Sequence, residues 1–262
     1  MKIAILFWGL NRSLEQTYDS INKKLFDVLK KKEVEYDVYM HTYRLDGENS
    51  RTGESNIINF DSYKLLNPTY FIWDNQDEII KNINLHQYHV GRDVWNNNYQ
   101  TVDFFVLAWY SKYIITKKLK KEIKKGNKYD AVLYIRPDVK FLQSFNLAWL
   151  SKIRNNSNIV IIPDFHHWGG YNDRMLLSNT KISIRYGLGF KKIIEYTALE
   201  NIKKKYIISE LFNKFLLEKL DVNIMPVFFF FERIRSNNTI AREDEKFYKK
   251  NKKRIKESER TD

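Results

Sequence analysis

Apolar residues run without a break from Ile3 to Phe7 and stop at Trp8-Gly9, the pattern of a strand buried on both faces and ended by a turn. The period then changes. Ser13 stands where a helix N-cap is wanted, and beyond it Leu14, Tyr18, Ile21, Leu25, Val28 and Leu29 recur at helical spacing, with Lys30–Lys32 in the last turn. Tyr36–His41 reads as a second strand, so strand, glycine turn, helix and strand predict a right-handed βαβ unit with parallel strands. Arg44–Asn59 is polar and glycine-containing and reads as a loop, Thr69–Trp73 as a third short strand, and Asp77–Val90 as a segment holding a helix. Asn96–Asn98 breaks the pattern before a long helix over Val102–Lys125, whose Val102, Phe105, Val106, Trp109, Tyr113 and Leu119 share one side and whose stop is Gly126.

Tyr129–Ile135 is the central buried strand, and Ile159–Ile162 is another that stops at a proline. Met175–Ser178 fits a short strand or a turn, Phe190–Leu199 and Ile207–Leu220 fit helices, and Val222–Phe231 fits a last strand. The pattern predicts one α/β domain over residues 1–240, a mostly parallel central sheet flanked by helices on both faces. Residues 241–262 form a charged C-terminal tail that frays or lies as an exposed helix. Ligands of such sheets sit at the carboxyl ends of strands near a topological switch point, which groups Gly9–Arg12, His41–Arg44, Trp73-Asp74 and Arg136–Asp138 on one edge.

Composition narrows the chemistry. The chain of 262 residues has no cysteine, which excludes disulfide frameworks, zinc–thiolate sites and cysteine nucleophiles and fits a reducing compartment. No stretch approaches the ~20 apolar residues of a membrane span, and the N-terminal run is too short for a signal peptide, so a cytoplasmic protein is expected. The net charge of +13 admits nucleic-acid binding, attraction to anionic membranes or substrates, or a merely basic surface. The lysines concentrate at Lys117–Lys125, Lys203–Lys205 and Lys249–Lys256, at helix ends or in the tail, which favours the solvated surface and leaves peripheral membrane contact open. Nucleic-acid binding finds no supporting motif. There is no G-x-G-x-x-G, Walker loop, G-x-S-x-G or H-E-x-x-H.

Three segments carry candidate chemistry. The first is Tyr129 to Val139, where a buried strand releases Arg136 and Asp138 two residues apart, on the same side of the pleat. Asp138 there could hold a divalent cation that bridges diphosphate oxygens, with Arg136 on phosphate; equally, the two form a structural ion pair. Asp130 cannot join them, because eight strand residues separate it by about 26 Å. The second is Trp168-Gly169-Gly170-Tyr171-Asn172-Asp173-Arg174, where paired glycines admit close backbone approach and Asp173 could bind an acceptor hydroxyl or take its proton, unless the segment is an ordinary turn. His166 and His167 before it point apart and make poor joint ligands. The third is Gly9-Leu10-Asn11-Arg12, a turn suited to a nucleotide, with Asn11 and Arg12 facing base or phosphate.

The ordered set resembles a family of GT-A-like glycosyltransferases of large DNA viruses and bacteria. It comprises Gly-Leu-Asn-Arg after the first strand, Tyr36 to Tyr43, a long helix, Tyr-Asp-x-x-x-x-x-Arg-Pro-Asp-Val and Gly-Gly-Tyr-Asn-Asp-Arg. Ser209-Glu210 opening a helix and Phe231 to Arg235 closing the last strand extend it across residues 1–235. The resemblance implies a single-domain GT-A, Rossmann-like fold and a hexosyltransferase-like enzyme. Its donor would be a nucleotide-diphosphate sugar, its acceptor a glycan or other hydroxyl compound, and its cofactor Mn²⁺ or Mg²⁺; for a viral chain the compartment would be the host cytoplasm. Asp138 then matches the metal position, Arg136 the arginine of the Arg-Pro-Asp signature, and Gly9 and Arg12 the donor loop. Asn172-Asp173-Arg174 matches the loop facing donor and acceptor sugars. The wider GT-A pattern carries Asp-x-Asp where this chain has Arg-Pro-Asp, so Arg136 could itself neutralise diphosphate charge. Arg44 or Trp73 is expected at the base, and Asp173 or Glu210 at the acceptor as catalytic base. Alternative readings are an inactive nucleotide-sugar-binding module and, behind it, a basic nucleic-acid-binding protein.

Overall fold

The computed structural model describes residues 1–45, 58–203 and 205–258. Strand β1 (Lys2–Trp8) buries every residue from Ile3 to Trp8. It alternates between two cores, as a pleat must: Ile3, Ile5 and Phe7 face one, Ala4, Leu6 and Trp8 the other. Helix α1 (Leu14–Ile21) runs through a π-helical turn at Asn22–Phe26 into α2 (Asp27–Lys31), so the expected helix is present with one wide turn in its middle. Ser13 does not cap it; its hydroxyl donates instead to Ile234 C=O at 2.8 Å and ties the helix start to the far end of the chain.

β2 (Glu35–Arg44) and β3 (Tyr70–Asn75) follow, then α3 (Gln76–Asn82), capped by the Asn75 side chain, which accepts from the Asp77 and Glu78 N–H groups. The helical stretch expected over Asp77–Val90 is thus α3 and a separate 3₁₀ turn at Leu85–Tyr88. α4 (Gln100–Lys124) leads to β4 (Ala131–Ile135) and the short β5 (Val139–Phe141). Next come α5 (Ala148–Asn155), β6 (Ile159–Pro163), β7 (Met175–Ser178), α6 (Thr180–Gly187), α7 (Ile193–Thr197), α8 (Glu200–Lys203) and α9 (Ser209–Leu220). β8 (Asn223–Val227), β9 (Phe231–Arg233) and α10 (Arg242–Ser258) complete the described elements.

Seven strands form one sheet in the order β3-β2-β1-β4-β7-β6-β8. Only β7 runs antiparallel to its neighbours, which resolves Met175–Ser178 as a strand and makes the sheet mostly parallel, as expected. The apolar run Val222–Phe231 is not one strand. It breaks into β8, on the edge of the main sheet, and β9, which pairs antiparallel with β5. Phe229 and Phe230 between them are buried, so hydrophobicity carries across the bend and hides it from a pattern of apolar positions.

Leu14, Leu29, Trp149 and Ile255 cover one face of the sheet; Val106, Trp109, Tyr186 and Phe212 cover the other. The charged segment expected from Ala241 is α10, and its Asp244 and Ile255 are buried against the domain while most of its lysines point to solvent. None of the described helices is long and apolar enough to cross a membrane.

Candidate active site

The sheet order makes the switch point. β1 leads outward through β2 to β3, and the chain then returns to lay β4 on the opposite side of β1, so the carboxyl ends of β1 and β4 diverge into a cleft. Trp8, Gly9, Arg12, Tyr43, Gln76, Leu107 and Arg136 line it. Gly9 has φ +89°, and a side chain there would meet nothing within 4 Å, so the backbone conformation, not space, calls for glycine. Its N–H donates to Ser111 Oγ at 2.8 Å. The same hydroxyl lies 2.7 Å from His41 Nδ1, and His41 Nε2 lies 3.1 Å from Asp74. Burial pushes the His41 pKa down, so the ring is neutral scaffolding.

Asn11, expected at base or phosphate, is buried and turned away from the cleft. Its amide donates to Phe60 C=O at 2.8 Å and Ser62 Oγ at 2.7 Å, and its oxygen accepts from Thr42 Oγ1. It pins the 3₁₀ turn Phe60–Leu66 to the end of β1.

Arg12 and Arg136 meet on Asp138. β4 stops at Ile135, and a turn, not the strand pleat, brings Asp138 back against Arg136. Arg136 grips it bidentately, Nε to Oδ1 at 2.7 Å and Nη2 to Oδ2 at 2.5 Å, while Arg12 donates to Oδ2 from Nε at 3.1 Å and Nη2 at 2.8 Å. Burial alone would raise the Asp138 pKa, but the charges of Arg136 and Arg12 hold it far below the usual carboxylate range. The expected Mn²⁺ or Mg²⁺ does not fit this residue. Both oxygens already accept from guanidinium and two fixed positive charges flank it; among the described residues no three His, Cys, Asp or Glu side chains converge as a ligand set.

The second half of the site is built by residues 164–174 against α9. Gly170 packs directly on the helix: a Cβ there would lie 1.9 Å from Glu210 C=O, the group that accepts from Tyr171 N–H at 3.0 Å. His166 (φ 50°) and Trp168 (φ 48°) hold left-handed backbone that bulky residues rarely adopt, strain of the kind found where a loop is shaped for a ligand. Asn172 serves this shape, donating to Phe165 C=O and accepting from Arg174 N–H. Asp173 accepts from Ser209 Oγ, and Lys112 Nζ donates to its backbone oxygen at 3.2 Å and lies 3.9 Å from its carboxylate. Beside them Arg174 Nη2 donates to Glu210 Oε1 at 3.3 Å, while Arg174 Nη1 is buried with no hydrogen-bond partner.

Environment splits the two carboxyls that sequence left interchangeable. Burial acts to raise both. At Asp173 the charges of Lys112 and Arg174 prevail and lower the pKa; at Glu210 burial and the Asp173 charge prevail, pushing it up to about 7. Between the ordinary value of 4.5 and about 7 the folded protein keeps a proton on Glu210 that the unfolded chain releases. This group's contribution to stability is therefore expected to fall as pH rises through that window and to stay level above it. Urea titrations at stepped pH should show that slope in the parent protein and its loss in Glu210→Gln.

Lys112 was not foreseen. It is fully buried in α4, its ammonium 4.0 Å from the ring centroids of both Trp8 and Trp109, and burial brings its pKa down to about 8. The signal lay in the sequence, since Lys112 falls three residues after Trp109 on the apolar side of the long helix. A fourth pairing closes the site: Arg233 Nε and Nη2 donate to Asp244 at 2.8 and 2.9 Å, with His166 Nδ1 3.1 Å from the same carboxylate. Among the described residues, five cations, Arg12, Lys112, Arg136, Arg174 and Arg233, thus stand among four carboxylates, Asp138, Asp173, Glu210 and Asp244. The excess is positive and grows as Glu210 takes its proton, which suits an anionic ligand. Arg44 and Trp73 lie further out at the ends of β2 and β3, the guanidinium 5.9 Å from a ring that is 44 % exposed.

No protein-family model and no curated protein sequence matches the chain. Solved structures resemble its fold loosely. An active-site mutant of LgtC is 14 % identical over 82 % of this chain and 70 % of that one, with a TM-score of 0.44. Mouse xyloside xylosyltransferase 1, in its apo form, is 11 % identical over 87 % of this chain and 85 % of that one, again at 0.44. The apo glycosyltransferase GlyE of Streptococcus pneumoniae is 14 % identical over 85 % of this chain and 44 % of its own, at 0.40.

Proposed function

We propose that the chain is a GT-A glycosyltransferase that moves a sugar, a hexose in the first instance, from a nucleoside diphosphate to a hydroxyl of a glycan or glycoconjugate. The observation that carries this reading is the pair Arg12 and Arg136, presented at the switch point by a buried Asp138 and adjoining two carboxyl groups of opposite disposition. The diphosphate lies against the arginines, with the base towards Trp73 and Arg44. As the anomeric C–O bond breaks, its electron pair leaves on the diphosphate, and the fixed guanidinium charges stabilise that leaving group. The acceptor oxygen bonds to the anomeric carbon and its proton needs a sink. Glu210, with its pKa near neutrality, is suited to take it, while Asp173, held ionised by Lys112, orients the hydroxyl.

The test is a panel of nucleotide sugars scored by thermal shift and by release of nucleoside diphosphate. One donor is expected to raise the melting temperature by several degrees, since ligand at ~100 times Kd adds about 2.7 kcal/mol, and to be hydrolysed slowly. Glu210→Gln should bind that donor and not turn it over. Binding without turnover, even with acceptors supplied, would favour the inactive binding module. A panel in which no donor binds refutes the assignment.

A further inference from the structure

Resting on the nucleotide-sugar reading, we infer that guanidinium groups alone neutralise the donor diphosphate here, so that donor binding requires no divalent cation. Among the described residues Asp138 is the one carboxylate at the end of β4, and four N–H···O contacts from two arginines occupy it. A divalent ion needs a carboxylate oxygen at roughly 2.0–2.6 Å. To reach one it would displace a guanidinium and stand beside two unit positive charges that the same carboxylate now balances.

The neighbouring carboxylates offer no substitute. Asp173 is engaged by Ser209 and Lys112, Glu210 by Arg174, and Asp244 by Arg233 and His166. Each acid of the site has its own cation. The arrangement reverses the logic of a metal centre, in which acids hold a cation and the cation holds phosphate. Here one acid fixes two cations that meet the phosphate directly.

Geometry supports the substitution. Arg136 commits two of its five N–H donors to Asp138. Its side chain is 23 % exposed where that of Asp138 is 1 %, so the guanidinium faces the cleft and the carboxylate stands behind it. The Trp8 ring, 5.5 Å from the guanidinium carbon, holds its other face. A planar fork anchored at its rear is the donor geometry that matches phosphate oxygens, and a lysine could not reproduce it.

The experiment titrates UDP, GDP and inorganic pyrophosphate into the full chain by calorimetry, once in excess EDTA and once in excess Mn²⁺. A nucleoside diphosphate is expected to bind with affinities that agree within about threefold between the two conditions. Arg136→Gln, which leaves Asp138 paired with Arg12, should weaken binding at least about tenfold, with no recovery in Mn²⁺. Arg136→Lys, which keeps the charge, should fold as the parent does and bind with intermediate affinity. Nucleoside diphosphate binding seen only with Mn²⁺ overturns the inference and leaves the glycosyltransferase reading standing. Pyrophosphate binding in EDTA without any nucleotide binding upholds the arginine cradle and removes the nucleotide. Binding of none of the three under either condition overturns both.

Discussion

Asp138→Asn should destabilise the fold by about 3–5 kcal/mol, the usual cost of removing one partner from a buried charge pair. The amide cannot balance the two guanidiniums that the carboxylate of Asp138, 1 % exposed, now holds. For a domain of this size the loss corresponds to a melting temperature lower by roughly 10 °C. Read from the sequence as a metal ligand, Asp138 would be replaceable without harm to the fold; read from its contacts, it holds Arg12 and Arg136 in place and the fold with them. Urea denaturation separates the two, and a variant as stable as its parent would show that the pair is not the anchor described here. The pH dependence points the same way. Asp138 has its pKa depressed below the ordinary 3.8, so its stabilisation is complete above that value and is lost as acid takes the pH down through the depressed pKa. The variant should lack this acid-induced loss.

Gly170→Ala is the second large effect. The added methyl would stand 1.9 Å from Glu210 O, 2.2 Å from Glu210 C and 2.6 Å from Leu211 N, all backbone atoms of α9 that no rotamer change can move. The loop must lift from the helix, breaking the Tyr171 N–H···O=C Glu210 bond and separating Asp173 from Ser209. A destabilisation of about 3 kcal/mol is expected, at the upper end for overpacking, and transfer should be lost with it. Gly169→Ala is the control: its φ of +81° makes a side chain strained, but its nearest neighbour is a Leu211 methyl at 3.8 Å, so about 1 kcal/mol is expected. Equal losses in the two variants would mean that conformation, and not contact with α9, fixes this loop.

The architecture was legible because its signals are local. The unbroken run Ile3–Phe7, the period of Leu14 to Leu29 and the stop at Gly126 each report a strand, a helix and a terminus from neighbouring residues. The switch-point rule then placed Gly9, Arg12 and Arg136 in one cleft, and there the structure brings them together. What stayed hidden depends on residues far apart in the chain. Asn11 and Arg12 look alike as polar residues after a strand, yet Asn11 turns to Ser62 and Arg12 to Asp138, 126 positions away. The roles of Asp173 and Glu210 could not be separated either, since Lys112 and Arg174 determine which of the two holds a proton. Lys152 and Lys112 are the same letter; only the packing of Trp8 and Trp109 around one of them distinguishes a solvated lysine from a buried one.

The docking of α10 on Arg233 has a consequence for synthesis. Every parallel strand among the described residues and both halves of the cleft precede residue 242, yet Arg233 lies buried among Arg136 and Arg174, and its matching acid, Asp244, arrives only with α10. A nascent chain emerges N-terminus first at ~5–20 residues per second. While the ribosome still covers α10, Arg233 stands beside Arg136 and Arg174 without the acid that pairs with it. The site therefore stays open until α10 has emerged, so an arrested chain lacking α10 should be protease-sensitive around residues 164–174 long after its central sheet has become resistant.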